Sequence, residues 1–393
     1  MPFIARALPL SSPKLLNKTS VPARSAVVRT VVEPKMVAKP LTANLPEVKA
    51  VLAKYEPREG VVGRPYERIL RSVAQLDSVI MQARREPGAL ADLLLAQNGR
   101  KLLFALEGQL RIYEGKLGKL AQEPLADVKK LEDALGAWSL YEKEIPAQIK
   151  DKNFPKAVVK QLEKIATVKR DAVKEILEKD WLPDADKRNQ VPVLNRMLRG
   201  LREADFGSYQ ADRAYLKETF SGQFEKIENF KVDFNDLQGG VHELRRKLRW
   251  PSIYIDALDG AVQLSAKQNP LHRMRKMLSD DEAKSPFVTG LPGPAREEQP
   301  IVMSKSLYIA VSKLIREIGT IKDKGEYVEF LSEVFVEAGK AKSVKKAEPI
   351  VRKLLGLEHV THEWIAQESE KAYRLLVDEG VFPAIRQEFA TTP

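Results

Sequence analysis

Apolar residues recur every three or four positions along almost all of this chain between residues 64 and 388. The window 66–84 shows the pattern with six residues: Ile69, Leu70, Val73, Leu76, Val79 and Ile80. This spacing is typical of one face of an α-helix, and no stretch shows the period of two that marks a half-buried strand. The sequence therefore predicts an all-α fold without a sheet.

Ten further windows repeat the helical spacing, and together they predict a helical domain over 58–390. The windows are 100–120, 125–150, 155–180, 191–202, 207–230, 234–264, 303–318, 325–339, 343–356 and 359–380. We expect a first half at about 64–200 and a second half at about 207–390. Between two windows, residues 267–302 contain five prolines and two glycines, so they cannot form one helix. A connector of this length is usually functional or disordered.

The N-terminal region differs from the rest in composition. Residues 1–57 hold eight prolines and no sustained apolar period, which predicts a disordered arm. Residues 1–39 carry seven bases and one acid, and this acid-poor composition also fits an organelle transit peptide over 1–40. Both interpretations stay open. The expected location is cytoplasmic, or an organelle if the arm is a transit peptide.

The net charge of +11 is concentrated in two segments. Residues 1–39 contribute +6 and residues 242–276 contribute +5, so the rest of the chain balances. The 44% apolar content supports a sizeable core, and the absence of cysteine excludes disulfides, thiolate metal sites and a cysteine nucleophile. No apolar run approaches the roughly 18 residues of a membrane-spanning helix, so no membrane span is expected.

The segment 240–264 holds the candidate binding site. At about 100° per residue, four basic residues share one helix face: His242, Arg245, Arg246 and Arg249. Gly239 and Gly240 precede them as a turn, so we expect the helix to start near Val241. Guanidinium groups and the free N–H groups of a helix start both suit a multivalent anion. A solvated cationic face fits the same pattern. Lys247 and the loop bases Arg273, Arg275 and Lys276 are secondary candidates.

Three strings in the chain resemble motifs of one known family. The string HELRRKLR supplies a histidine with arginines three and seven residues later, which are Arg245 and Arg249. KLIREIGTIKD supplies Leu314, Ile318, Gly319 and Asp323, and KLEDALGAWSL aligns with it without gaps in the first half. Upstream, RKLLFALEGQLRIYEGKL contains Arg100 and Lys101 where a first basic helix would lie. The chain resembles the CHAD domains, the conserved histidine α-helical domains.

The resemblance implies two pseudo-repeated antiparallel helical bundles around a basic channel, and inorganic polyphosphate as ligand. It departs from the family pattern because the first half lacks the histidine and because Trp250 and Ser252 stand where bases are usual, while Pro251 is expected to kink the helix. Polyphosphate binding would be electrostatic and steeply dependent on salt. His242 fits either as a phosphate ligand or as a structural residue.

The expected function is non-enzymatic polyanion binding without a cofactor. Nucleic acid is a less favoured ligand. The alternative is a structural or scaffolding protein, located in an organelle if the arm is a transit peptide, that binds an acidic partner or nucleic acid. No phosphate-binding glycine loop or nucleophile elbow is present in the sequence. His359, His362 and Glu363 have a spacing that metal sites use, but they match no metalloprotease motif, and a surface cluster is the preferred interpretation.

Overall fold

A computed structural model describes residues 64–182, 191–265, 291, 293 and 299–391. These residues are almost wholly helical, which confirms the all-α prediction. The predicted arm 1–57 lies outside the described residues, and so does most of the predicted loop 267–302 with Arg273, Arg275 and Lys276.

In the first part of the chain, residues 64–182 and 191–203 form eight α-helices. They are α1 (Arg64–Gln82), α2 (Pro87–Ala96), α3 (Gly99–Ile112), α4 (Glu114–Leu117), α5 (Gln122–Ser139), α6 (Ile145–Ile149), α7 (Lys156–Ile176) and α8 (Pro192–Glu203). A 3-10 turn (Gly118–Ala121) leads into α5, and π-helical turns follow α5 at Leu140–Glu144 and α7 at Leu177–Trp181. The turn after α5 makes it continuous with α6, as the window 125–150 predicts.

The described residues from 204 onward form six α-helices and two strands. They are α9 (Tyr209–Glu228), α10 (Glu243–Ala257), β1 (Val262–Ser265), β2 (Ile301–Ser304), α11 (Lys305–Glu337), α12 (Val344–Leu355), α13 (His362–Asp378) and α14 (Val381–Thr391). A π-helical turn at Leu237–His242 leads directly into α10. The predicted windows 303–318 and 325–339 belong to a single helix, α11, which is 33 residues long.

The two strands are a correction to the prediction of no sheet. They pair in parallel, with Val262 opposite Ile301 and Ser265 opposite Ser304. Four residues are too few to show a period of two, and the pairing joins segments about 40 residues apart, so the local pattern could not reveal it. Burial of Val262, Ile301 and Met303 holds the pair against the helices and fixes the start of α11.

Two hydrophobic cores hold the helices together. The larger core extends from Tyr66 in α1 to Phe389 in α14 and includes residues of both predicted halves. The smaller core combines residues between 140 and 162 with residues of the C-terminal part of α11 and of α12. Each core therefore draws on both halves of the chain, while the predicted duplication of the halves stays a prediction.

Helix α10 has a central position because it packs against α3, α9 and α11. Its apolar face, with Leu244, Leu248 and Ile255, is buried. The helix continues past Pro251 to Ala257, so the window 234–264 overestimates its length. Asp259 and Gly260 adopt positive φ angles of 48° and 93°, which end the helix before β1.

Candidate functional site

The start of the candidate site differs from the sequence prediction. The helical path begins at Leu237 rather than near Val241, and Gly239 and Gly240 lie inside its first, π-helical turn. The Asp236 side chain accepts hydrogen bonds from the backbone N–H groups of Gln238 at 2.9 Å and Gly239 at 2.8 Å. The N–H groups that we expected to be free for an anion are therefore capped by a carboxylate.

Position 240, inside this turn, has room only for a glycine. A Cβ added to Gly240 would lie 1.7 Å from the backbone oxygen of Asp233, so only glycine fits. The close approach places His242 one full turn into the helical path. Consequently, His242 is not a residue of a helix start.

The predicted cationic face divides into an inner and an outer part. Arg245 is only 4% exposed, and Arg249 is largely withdrawn from solvent. Arg246 is exposed, and both Arg246 and Lys247 form ion pairs with Glu243, at 2.9 and 3.3 Å. Helix α10 is thus buried on two opposite faces, the apolar face and the face of Arg245 and Arg249.

Arg245 points at helix α11. A Cβ added to Gly319 would lie 2.7 Å from Arg245 Nε, so the absence of a side chain at Gly319 makes room for the guanidinium group. Burial lowers the pKa of Arg245, while the nearby carboxylates of Asp323 and Glu326 oppose that decrease. The motifs HELRRKLR and KLIREIGTIKD therefore meet in space through Arg245, Gly319 and Asp323.

A buried lysine is the second cation of this interface. Lys322 is 0% exposed, and its Nζ lies 2.5 Å from Glu326 Oε2 and 3.0 Å from Asp323 Oδ1. His242 Nδ1 lies 3.4 Å from the other oxygen of Glu326 and 3.2 Å from Gln238 Oε1. Burial by itself would raise the pKa of Glu326, but His242 and Lys322 lower it to about 2. His242 thus belongs to an internal ionic contact.

The first half contributes Arg100 to the same region. Arg100 Nε donates to Glu132 Oε1 at 3.0 Å, and its guanidinium carbon lies 5.4 Å from the centre of the Phe104 ring. Arg249 lies 4.6 Å from the centre of the same ring. Burial, followed by repulsion from Arg245 and Arg100 against attraction by nearby glutamates, lowers the pKa of Arg249 to about 10. Arg100 and Arg249 therefore reach one ring from two helices, and Arg245 lies near enough to Arg249 to affect its pKa.

We call this group of side chains the ionic cluster. Its members are Arg100, Glu132, His242, Arg245, Arg249, Lys322, Asp323 and Glu326. Helices α3 and α5 supply the first two, the path through α10 supplies the next three, and α11 supplies the last three. Its cations face carboxylates that the same fold supplies.

Two bases near the ionic cluster are also paired. Lys101 is half-exposed and lies 3.3 Å from Asp256. Arg111 donates to the buried Glu107 at 2.8 Å and lies 4.6 Å from the centre of the Trp250 ring. Trp250 thus occupies a position where the family pattern has a base, and there it carries a stacked arginine.

Sequence reasoning did not single out Glu132, Lys322 or Glu326 as site residues. Lys322 directly precedes the motif residue Asp323, and Glu326 follows Lys322 by one helical turn, which is a favourable spacing for an ion pair. That spacing is common on exposed helix faces too, so it could not indicate burial. The depth of Lys322 and Glu326 follows from the packing of α10 on α11, and Glu132 lies on α5.

The histidines considered for a metal site lie apart from the ionic cluster. His359 packs edge-on against Trp364, and His362 is the first residue of α13. In the described ranges, no group of three or more histidines and carboxylates is arranged to hold a metal ion. Across the same ranges, no helix combines the length and the apolar character needed to cross a membrane.

Comparison with known proteins gives no relative. No family model matches the chain, no curated protein is similar to it, and no solved structure matches its fold. The resemblance to CHAD domains therefore stays a prediction that depends on the three strings alone.

Proposed function

We propose that this chain is a non-enzymatic polyanion-binding protein, with inorganic polyphosphate as the ligand that its motifs favour. One observation supports the proposal most. Arg100 and Arg249 are distant in the sequence, but both guanidinium groups lie against one aromatic ring, Phe104. These guanidinium groups come from the two predicted halves. An anion bound between them would offset the repulsion that lowers the pKa of Arg249.

The half-exposed bases define how a ligand would reach this point. Lys101 and Arg111 lie on α3 with Arg100, while Arg246 and Lys247 lie on α10 with Arg249. A chain of phosphates that replaced their carboxylate partners would meet a series of cations. Because these contacts are electrostatic, affinity should fall steeply as salt rises.

Replacement of the two half-buried arginines beside Phe104 tests this proposal. Reversing the charge of Arg245 is unsuitable, because a buried carboxylate beside Asp323 and Glu326 would unfold the chain. The double variant Arg100→Gln with Arg249→Gln removes two positive charges without adding negative ones. We expect it to bind polyphosphate at least tenfold more weakly than the wild type in a titration at low salt.

The matched control removes two arginines from other surfaces. Arg170 and Arg374 are exposed and pair with Asp92 and Glu370, so Arg170→Gln with Arg374→Gln makes the same change in net charge. The control should keep wild-type affinity. Equal affinity of the two double variants, with circular dichroism unchanged in both, would place the ligand elsewhere.

A second candidate is a structural or scaffolding role, and one specific observation favours it. Arg245 of α10 is buried beside Asp323 and Glu326 of α11, and Lys322 pairs with the same two carboxylates within α11, so these charges serve the packing of the two helices. In that case a partner with an acidic surface, or nucleic acid, would use the remaining exposed bases. Competition separates the candidates, because a nucleic-acid-binding protein should release polyphosphate when nucleic acid is added at equal phosphate concentration.

The proposed location is the cytoplasm, with an organelle as the alternative. The N-terminus of the protein recovered from cells distinguishes them. Cleavage within residues 35–50 would favour import, and an intact arm would favour the cytoplasm.

A further inference from the structure

A second basic surface lies between the end of α11 and the start of α12. Residues 340–346 hold four lysines: Lys340, Lys342, Lys345 and Lys346. All four are exposed, and none forms an ion pair with any residue that the structure describes. Their charges are therefore available to a partner, unlike the charges of Arg245 and Lys322.

A segment of the first half adjoins these lysines. Lys152 Nζ donates to the backbone oxygen of Leu355, the last residue of α12, at 2.6 Å. The ring of Phe154 packs edge-on against Phe335, with a distance of 6.0 Å between the ring centres. The backbone N–H of Lys340 donates to Phe335, so the turn after α11 starts beside this contact.

The two segments together carry a large positive charge. Residues 150–160 contain four exposed lysines, Lys150, Lys152, Lys156 and Lys160, against the single acid Asp151. With residues 337–357, the combined net charge is +7. Of the two acids in 337–357, Glu337 accepts from Gln161 and Glu348 pairs with Arg352. We call these two segments the lysine patch.

Two apolar side chains are exposed within the lysine patch. On α12, Ile350 is 45% exposed and lies between Lys346 and Lys353 on the outer helix face. On α7, Val159 is 37% exposed and lies between Lys156 and Lys160. The opposite face of α12, with Ala347 and Val351, is buried in the smaller core. Ile350 thus has a lysine one turn before and one turn after it on α12, whereas Val159 has Lys156 one turn before it and the exposed acid Glu163 one turn after it on α7.

This combination fits one kind of partner better than others. Lysine is a hydrated point charge on a flexible stem, which suits a diffuse negative surface rather than bidentate recognition of single phosphates. The segments 150–160 and 337–357, which the structure describes completely, contain one aromatic ring, Phe154, and it is occupied by Phe335. These two segments therefore offer no free aromatic ring on which nucleic-acid bases could stack.

We propose that the lysine patch docks onto an anionic lipid surface. Lysines attract the acidic headgroups, while Ile350 and Val159 enter the boundary between headgroups and acyl chains. The attachment is peripheral and independent of the ionic cluster. It should weaken as ionic strength rises, because exposed charges are screened.

Cosedimentation of the full chain with vesicles tests the proposal. The probes are vesicles of phosphatidylcholine alone and vesicles with about 30% phosphatidylglycerol. We expect binding to the anionic vesicles only. The quadruple variant Lys340→Glu, Lys342→Glu, Lys345→Glu and Lys346→Glu should lower that binding more than tenfold, and Ile350→Ser should lower it a few-fold.

A matched control reverses four exposed lysines on other surfaces. Lys119, Lys179, Lys226 and Lys231 are exposed and form no ion pair within the described residues, so changing them to glutamate gives the same net charge. The control should bind anionic vesicles like the wild type. If both quadruple variants lose binding equally, or if the wild type does not sediment with anionic vesicles, the proposal is wrong.

The same variants distinguish lipid binding by the lysine patch from nucleic-acid binding by the patch and from vesicle binding through the ionic cluster. Loss of binding to a short DNA duplex in the lysine-patch variant, without vesicle binding by the wild type, would assign the patch to nucleic acid and overturn the lipid proposal. Arg100→Gln with Arg249→Gln should leave vesicle binding unchanged. Vesicle binding can therefore be lost while polyphosphate binding persists, and polyphosphate binding can be lost while vesicle binding persists.

Discussion

Residues 242–249 and residues 340–346 each contain four basic residues (lysine or arginine). The two segments differ in how far these charges are exposed and paired with carboxylates. The first segment lies on α10, which is packed on two faces, and Arg245 meets the carboxylates of α11. The second lies at the start of α12, which has one buried face, and its lysines are exposed. Local basicity in a sequence therefore says little about accessible charge, because carboxylates distant in sequence decide how much is neutralised.

The lysine patch also shows that the net charge of a segment does not locate the exposed charge of the folded chain. Outside residues 1–39 and 242–276 the sequence balances to zero, but that balance hides the lysine patch. Acids elsewhere in the chain cancel its charge in the sum without lying near it in space. A charge count by segment therefore missed this exposed basic surface.

The largest expected effect concerns the buried lysine. Lys322→Ala leaves Asp323 and Glu326 without their cation in a buried position, so we expect a loss of about 3–5 kcal/mol in the free energy of unfolding. Urea denaturation measures it. Lys371 is 77% exposed and pairs with Glu368, so Lys371→Ala should cost less than about 0.5 kcal/mol. Similar costs for both variants would contradict the internal role of Lys322.

The second prediction concerns Glu326 and pH. Its pKa in the folded chain is about 2, below the usual value, so its stabilising contribution is complete above pH 4.5 and is lost as the pH falls toward 2. Glu326→Gln should therefore destabilise the fold by about 3 kcal/mol at pH 7. The difference from wild type should shrink between pH 4.5 and 2, as measured by urea denaturation in a pH series. A difference that does not depend on pH would argue against the ion pairs.

The third prediction concerns the space for Arg245. Gly319→Ala adds a Cβ 2.7 Å from Arg245 Nε, so we expect a loss of about 1–2 kcal/mol because the buried guanidinium must move. Gly222 also lies within a helix, but nothing lies within 4 Å of an added Cβ there. Gly222→Ala should raise stability by about 0.5–1 kcal/mol. Thermal or urea unfolding of the two variants should thus shift in opposite directions.

The smallest expected effect is at the lysine patch. Reversing Lys340, Lys342, Lys345 and Lys346 should change the free energy of unfolding by less than about 0.5 kcal/mol per residue, because the side chains are exposed and unpaired among the described residues. A loss comparable to that of Lys322→Ala would mean that these lysines serve the fold. The comparison between the two regions would then fail.

Most of the helices could be predicted from the sequence, because apolar spacing follows directly from helix geometry. The start of the path through α10 was not predicted, because the apolar period does not register the Asp236 cap, which is a local contact with the N–H groups of Gln238 and Gly239. The strands β1 and β2 depend on a partner about 40 residues away. Such pairing leaves no local trace in four residues.

The basic residues of the candidate site were named from the sequence, but the glutamates and the buried lysine around them were not. Arg245, Arg249 and Arg100 do approach a common region, and Arg245 does meet Gly319 and Asp323. The depth of Arg245 could not be foreseen, because one helix of period 3.6 shows which face is apolar but not whether the polar face meets water or another helix. Here it meets α11, which begins some 60 residues later.

Lysine acetylation followed by mass spectrometry tests the contrast between the two regions most directly. Brief treatment of the folded chain with a water-soluble acetylating reagent should modify Lys340, Lys342, Lys345 and Lys346 readily. Lys322 should react only after denaturation, because its ammonium group is fully buried between Asp323 and Glu326. Modification of Lys322 in the folded chain at the rate of the patch lysines would contradict the buried ionic cluster and, with it, the division of charge proposed for this protein.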